Sequence, residues 1–379
     1  MNYDFNNQEL QLFVQLQEMM QAYTAAADPE KGDVAAVERT VRGALARLGE
    51  TPYLNLGLLP QAGYNGMLTL MGAMEVLAGL SPSLFLSVEM STRVFGRMVQ
   101  AWGDPDQKTK WMAPLTAGRL IGAVGLSEEA MNVENEALKT TGSPDGDGVV
   151  INGRKQYVIN GPIADWLAVA GVMDGRNALF LVEKNTKGLV LEERLATLGY
   201  EGAAICNIRL ENCRIPKNQV VIPAEDRAGL DRIRLWENQV ILGASIGLMK
   251  SAFEAARNYA KTHKSGGKPV IAFQEVGFKL SEMLTLTQTS QLFAYRAAWT
   301  AEDNPKEAES ITLCAKVFCT EAAEQVAGNA LQILSGAGYL TGNAVERAYR
   351  CAKYGQIAGT STEIARVKIG DDALGARAA

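Results

Sequence analysis

The sequence predicts a mixed α and β protein: an N-terminal helical domain (residues 1–120), a middle β domain (121–225) and a C-terminal helical bundle (226–379). Three observations lead to this prediction. Apolar residues recur at helical spacing in the first and last thirds of the chain, and short apolar runs bounded by Gly, Asn or Asp fill the middle. The length of 379 residues also fits two or three structural units.

The N-terminal domain is predicted to contain helices at 8–27, 67–78, 87–102 and 106–115. The first of these carries Leu10, Phe13 and Val14 at helical spacing. A loop rich in Gly, Pro and Asn spans 57–66, and the runs 81–83 and 103–105 contain proline, which favours breaks between helices.

The middle domain is predicted from a series of short apolar runs, which lie at 121–126, 148–151, 155–159, 167–172, 178–182 and 189–192. Asn152 and Gly153 separate two of these runs by two residues. Because both residue types tolerate positive φ, this spacing predicts a β-hairpin at that point.

The C-terminal bundle is predicted from the return of helical spacing at 231–262 and 270–300. A further apolar stripe consists of Ile311, Ala315, Phe318, Ala322, Val326 and Ala330. Asn304 and Pro305 precede it, and these residue types favour the cap and first turn of a helix.

Composition excludes several classes of function. The 42 acidic and 37 basic residues give a formal charge of −5, and without a long basic cluster we expect no nucleic-acid and no membrane partner. No apolar run approaches the roughly 20 residues needed to cross a bilayer. A single histidine, His263, argues against a metal site, and the five cysteines are expected to be reduced thiols of a cytoplasmic protein.

One acidic residue lies on an apolar helix face. Glu237 shares that face with Ile233, Ile241, Ala244 and Leu248. The pattern leaves two interpretations open: an acid near the helix start that points to solvent, or a partly desolvated carboxylate that acts as a general base.

Motifs along nearly the whole chain, in order, resemble those of the acyl-CoA dehydrogenases. They are GDPDQKTKW at 103–111, GAVGLSE at 122–128, INGRKQYVING at 151–161, CRIP at 213–216, QILSGAGY at 332–339, ERAYR at 346–350 and AGTS at 358–361. The resemblance implies a flavoenzyme that binds FAD between the β domain and the C-terminal bundle, as a homotetramer. It also implies an acyl thioester substrate, from which a base takes the α-proton while the β-hydride passes to the flavin, and an electron-transfer flavoprotein as a possible acceptor.

The resemblance also assigns the catalytic groups. The family's usual glutamate before the C-terminal Gly-Thr is Ala358 here, as in isovaleryl-CoA dehydrogenase, which places its base ten residues before a Gly-Leu-Met. In this chain that position is Glu237, the same acid that the helix face singles out. The backbone N–H of Ala358 is expected to bind the thioester oxygen.

Eight residues match positions that contact FAD in the family: Leu126, Ser127, Tyr157, Ile159, His263, Gln332, Gly336 and Thr360. Tyr157 replaces a tryptophan, Ile159 a threonine and His263 an arginine that serves the FAD diphosphate. These departures predict weaker FAD binding than is usual. Glycine in a turn with positive φ is an alternative explanation for Gly336.

The sequence therefore predicts FAD-dependent α,β-dehydrogenation of a short or branched acyl-CoA to the 2-enoyl thioester. One alternative is the same reaction on an acyl group tethered to a carrier protein. Another is a catalytically silent homologue that serves for binding or assembly.

Overall fold

The order of elements confirms the predicted fold class of helices, β domain and helices. The computed structural model describes residues 3–129, 136–224 and 227–375. The helices of the first region are α1 (Asn7–Ala27), α2 (Val34–Leu48), α3 (Gly66–Leu80), α4 (Pro82–Glu89), α5 (Arg97–Trp102) and α6 (Pro105–Thr116). A π-helical segment, Met90–Gly96, joins α4 to α5.

The predicted helix at 87–102 begins earlier than expected. Ser81 caps α4 by accepting a hydrogen bond from the Leu84 N–H at 3.2 Å, and Pro82 occupies the first helical position. The proline therefore starts a helix here as well as ending the previous one. Helix α2 was not among the predicted helices, although Val37, Val41, Ala44 and Leu48 form a buried helical stripe.

The β domain is one eight-stranded sheet. Its strands are β1 (Gly122–Gly125), β2 (Thr141–Asp145), β3 (Gly148–Ile159), β4 (Trp166–Met173), β5 (Arg176–Glu183), β6 (Leu189–Arg194), β7 (Ile205–Pro216) and β8 (Val220–Val221). They lie in the order β6-β7-β3-β2-β4-β5-β8, and β1 pairs with β4 in parallel. The loop after β1 carries Ser127, which contacts Arg234 of the C-terminal region.

The predicted hairpin at Asn152 and Gly153 is wrong. Strand β3 runs through both residues, and its pairing with β7 shifts register between Ile151 and Gly153, which has a φ of 157°. An Asn-Gly pair permits a β-bulge as well as a turn, and β7 is long enough to pair with both halves of β3. The real hairpin joins β2 to β3, where Gly146 has a φ of 58°.

The C-terminal region contains α7 (Arg227–Thr262), α8 (Gln274–Asp303), α9 (Ala308–Leu334), α10 (Ala344–Ile357) and α11 (Thr362–Ala373). A short hairpin of β9 (Lys264–Ser265) and β10 (Lys268–Pro269) follows α7. The predicted helix start at Asn304 and Pro305 is wrong. Asn304 ends α8 by donating its N–H to the Thr300 carbonyl at 2.9 Å, and α9 begins three residues after Pro305, at Ala308.

Helix α7 is the centre of the molecule, because it packs against α3, α8, α9 and α10. Its contact with α3 is a close backbone approach: a Cβ added at Gly247 would lie 2.7 Å from the Gly79 nitrogen. Glycine is therefore required there by packing. The approach sets the distance between α3 and α7 at this point.

All five cysteines are unpaired thiols, as predicted. Burial raises the pKa of Cys206, Cys319 and Cys351 to about 12. Across residues 3–129, 136–224 and 227–375, we find no helix with the length and apolar character that a membrane span needs.

Candidate active site

Glu237 lies in the third turn of α7, where its carboxylate forms an ion pair with Arg234. The Arg234 Nη1 donates to Glu237 Oε2 at 2.7 Å, and both side chains are largely buried. Oε1 of Glu237 has no hydrogen-bond partner among the described residues. One carboxylate oxygen is therefore held in place, and the other remains available to a bound molecule.

Arg234 also connects this carboxylate to the β domain. Its Nη2 donates to the Ser127 Oγ at 3.3 Å. Arg234 therefore links two predicted site residues, Ser127 and Glu237, that are 110 positions apart in the sequence. Its buried Nε has no hydrogen-bond partner among the residues that the structure describes. A buried donor without a partner is costly, and a polar group of a bound molecule would relieve that cost.

The loop that carries Ser127 is held by a buried ion pair. Glu128 and Lys155 are 2.5 Å apart, and the Lys155 side chain is 0% exposed. The ammonium also donates to the Leu126 carbonyl at 3.3 Å, and the Glu128 carboxylate accepts from the Thr140 N–H and hydroxyl. Burial lowers the pKa of Lys155 to about 8, and the charge of the Glu128 carboxylate opposes that shift.

Tyr157 lies next to this loop at a second bulge in β3. The register with β7 shifts between Lys155 and Val158, and Tyr157 has a φ of 56° in the left-handed region. That conformation is strained for an aromatic residue, and bulges of this kind often redirect a side chain near a functional site. The bulge leaves the Tyr157 ring 52% exposed, whereas Ile159, two residues later, is buried in the core.

The turn that follows α10 is pinned to α7 beside Glu237. The Thr360 N–H donates to Asn238 Oδ1 at 3.0 Å, and Asn238 Nδ2 donates to the Thr360 Oγ1 at 3.1 Å. The Thr360 carbonyl accepts from the buried Lys316 ammonium. Thr360 is thus largely engaged within the chain, and it positions the turn relative to Glu237.

The Ala358 N–H, predicted to bind a thioester oxygen, donates to the Tyr354 carbonyl at 2.9 Å and closes the last turn of α10. It is not a free donor in this structure. A thioester oxygen would have to share this N–H with the carbonyl of Tyr354.

A small apolar cavity begins one helical turn beyond Glu237. It has a volume of about 10 Å³ and is lined by Ile241, Ala244 and Leu248 of α7 and by Tyr354 and Gly355 of α10, with Tyr200 between the two helices. Ile241, Ala244 and Leu248 are the residues that share the Glu237 face in the sequence pattern. The apolar stripe that follows Glu237 on α7 therefore lines this cavity, although Glu237 itself does not.

His263, Gln332 and Gly336 lie at the surface, away from Glu237 in the fold. His263 is exposed and stacks on the Tyr259 ring, with centroids 4.5 Å apart. A Cβ added at Gly336 would meet no described atom within 4 Å, and the φ of Gly336 is not positive. Neither the backbone nor packing within one chain therefore explains this glycine.

Sequence reasoning missed Arg234, the pair of Glu128 and Lys155, and Tyr200. Arg234 lies one helical turn before Glu237, so an i, i+3 pair could have been expected from the spacing. The other contacts join segments far apart in the chain and left no local signal. Among the described residues we find no cluster of three or more His, Cys, Asp or Glu side chains that could hold a metal ion.

Comparison with known proteins gives matches along most of the chain. It matches the acyl-CoA dehydrogenase N-terminal domain over residues 13–119, the middle domain over 123–213 and the C-terminal domain over 235–374. The mitochondrial short-chain specific acyl-CoA dehydrogenase of Homo sapiens is 31% identical over 313 residues, which cover 78% of this chain and 73% of that protein. The mitochondrial isovaleryl-CoA dehydrogenase of Oryza sativa subsp. japonica is 32% identical over 311 residues, which cover 79% and 74%.

A solved structure of the prolyl acyl carrier protein oxidase AnaB is similar to this chain with a TM-score of 0.84 and 26% identity. The similarity covers 97% of this chain and 99% of that one.

Proposed function

The chain belongs to the acyl-CoA dehydrogenase family, and from this premise we propose that it oxidises a short or branched acyl-CoA to the 2-enoyl thioester with FAD as the cofactor. The observation that carries the proposal is the position of Glu237. Its Oε1 has no hydrogen-bond partner among the described residues, and the next residues on its helix face line an apolar cavity. This arrangement supports a general base beside an acyl chain.

The residues around Ser127 fit a flavin. Ser127 is half-buried, and its carbonyl accepts from the N–H of Gln156, the neighbour of the exposed Tyr157. The Arg234 Nε, which has no partner among the described residues, provides a buried donor. We propose that Ser127 and Tyr157 hold the flavin ring, and that Leu126 contributes backbone contacts. When bound, FAD supplies the acceptor for the hydride that leaves the β-carbon.

The chain's own groups would then act on the thioester. Arg234 fixes Oε2 of Glu237, so that Oε1 faces the α-carbon and accepts its proton. The contact between Asn238 and Thr360 holds the turn at 358–360 at a constant distance from that carboxylate. Ile241, Ala244 and Leu248 exclude water from the acyl chain, which strengthens the electrostatic contacts at the reacting end.

Replacing His263 with arginine is expected to tighten FAD binding. In the proposed site His263 lies near the FAD diphosphate, and a guanidinium would add a charge-assisted hydrogen bond worth about 1.5–3 kcal/mol, or at least about tenfold in the dissociation constant. The measurement is FAD titration of the apoprotein by fluorescence. Lys261→Arg, an exposed position two residues earlier, is the matched control. An unchanged dissociation constant for His263→Arg would show that the diphosphate has another partner.

We propose that the protein is a homotetramer assembled through the C-terminal bundle. Large apolar side chains are exposed there on several helices and loops: Phe278, Leu292, Tyr339, Leu340, Ile357 and Val367. The unexplained Gly336 supports close approach by FAD or a neighbouring subunit. Light scattering of the FAD-loaded protein should give about four times the chain mass of 40.8 kDa. A monomer that carries full flavin would contradict this proposal.

The second candidate is the same oxidation on an acyl group carried by an acyl carrier protein. The similarity to a prolyl acyl carrier protein oxidase at 26% identity favours it. Mass spectrometry distinguishes the two, because dehydrogenation removes two hydrogens from the acyl group. Butyryl-CoA and a butyryl carrier protein are incubated separately with the enzyme and an electron acceptor. The substrate whose acyl group loses the two hydrogens faster shows whether the enzyme prefers CoA or the carrier protein.

An electron-transfer flavoprotein as acceptor and a cytoplasmic location are parts of the same proposal. The first follows from the family resemblance. The second is supported by the five unpaired cysteines, which suit a reducing compartment.

A further inference from the structure

Tyr200 lines the small cavity that lies on the same face of α7 as Glu237. Its side chain is 2% exposed and lines the 10 Å³ cavity, and its ring lies 4.9 Å from that of Tyr354 at 58°. Burial raises the pKa of Tyr354, and the nearby Glu237 carboxylate raises it further. The remaining volume holds about one water molecule, or one methyl group.

The backbone that carries Tyr200 is strained and fixed on both sides. Tyr200 has a φ of 57°, which is an outlier for a bulky residue and persists only where surrounding contacts impose it. Its N–H donates to the Cys351 Sγ at 3.4 Å, and the following Gly202 N–H donates to the Ser83 Oγ at 3.2 Å. The Arg350 guanidinium holds the preceding Leu198 carbonyl at 2.6 Å.

These contacts attach the loop at 198–202 to α10 on one side and to the start of α4 on the other. Because its loop is anchored and its side chain is buried, the Tyr200 ring forms a fixed part of the cavity wall. One helical turn, about 5.4 Å, separates the level of Glu237 from the cavity along α7, and an acyl chain that ran this distance from the carboxylate would meet Tyr200.

We propose that Tyr200 is a specificity-determining residue that closes the acyl pocket and restricts the enzyme to short acyl groups. This inference rests on the proposed function, because it assigns the cavity to the acyl chain. In a pocket closed by a rigid ring, each added methylene has to displace packed atoms. Discrimination of about 10- to 200-fold per methylene is typical of such pockets.

The test compares butyryl-CoA with octanoyl-CoA in the FAD-loaded protein and in its Tyr200→Gly variant. The readout is the rate of anaerobic flavin reduction. We expect the parent to use octanoyl-CoA at least about 100-fold more slowly than butyryl-CoA, and Tyr200→Gly to shrink that ratio at least about tenfold. Glycine suits the positive φ, so the loop keeps its path. Leu198→Ala, on the same loop but with an exposed side chain, should keep the parent ratio.

If Tyr200→Gly does not fold, Tyr200→Leu replaces the aromatic ring with a smaller aliphatic side chain. This variant should also shrink the ratio of the butyryl-CoA rate to the octanoyl-CoA rate. Equal rates with both thioesters in the parent, or an unchanged ratio in the folded variants, would overturn the role of Tyr200 while the proposed oxidation stands. No flavin reduction by any thioester in the parent would overturn the proposed function, and this inference with it.

Discussion

Glu237→Gln is expected to slow flavin reduction by a short acyl-CoA by about 10²–10⁴-fold, or roughly 3–5.5 kcal/mol of barrier. Glutamine keeps the shape of the side chain and can accept a hydrogen bond from Arg234, but it has no basic oxygen to take the α-proton. The variant should therefore fold and bind FAD and substrate like the parent. The measurement is stopped-flow flavin reduction under anaerobic conditions.

Glu254→Gln is the matched control, because Glu254 lies on the same helix and pairs with Arg257 at the same i, i+3 spacing, outside the cavity. We expect its rate to stay within about twofold of the parent, since exposed pairs contribute little. In the Glu237→Gln background, Ala358→Glu should restore part of the rate if both positions face one α-carbon. A Glu237→Gln variant that reduces flavin within twofold of the parent would remove this residue from the mechanism.

Lys155→Met is expected to destabilise the folded protein by about 3–5 kcal/mol, because it leaves the buried Glu128 carboxylate without its cation. The side chain of Lys155 is 0% exposed and that of Glu128 8% exposed, so water cannot replace the lost contact. The measurement is urea unfolding at fixed protein concentration, with the free energy of unfolding compared between parent and variant.

Arg154→Met tests the same strand one residue earlier. Arg154 pairs with Glu192 at 3.1 Å, but its side chain is 50% exposed, so we expect a loss of at most about 1 kcal/mol. If Lys155→Met costs no more than this exposed control, the hydrogen bonds of Glu128 to the segment at 139–140 are enough to hold the loop, and the ion pair is not what positions Ser127.

Much of the fold was predictable, because the spacing of apolar residues along the chain indicates which face of each helix or strand is buried. The long helices and most strands follow from it. The hairpin predicted at Asn152 and Gly153 failed for a physical reason: the residues of a tight turn also suit a bulge, and only the length of β7 decides between them. Cap signals had the same weakness at Asn304, which ends α8 instead of starting α9.

The candidate site was predictable only in part. Glu237 was found from a carboxylate on an apolar face together with a family spacing, and the structure places that face along a cavity. The role of Arg234 as a link between Glu237 and the β domain depends on its contact with Ser127, which belongs to another domain. Tyr200 enters the site because its loop is anchored to α4 and α10, and no local pattern encodes such a contact.

Anaerobic titration of the FAD-loaded protein with butyryl-CoA, followed by its visible spectrum, is the decisive test of the proposed oxidation. We expect the yellow colour of oxidised flavin to bleach as the thioester is added, and crotonyl-CoA, the 2-enoyl product, to appear in equal amount. A protein that holds FAD and stays yellow with butyryl-CoA, isobutyryl-CoA and isovaleryl-CoA would contradict the claim that this chain oxidises short acyl-CoA thioesters.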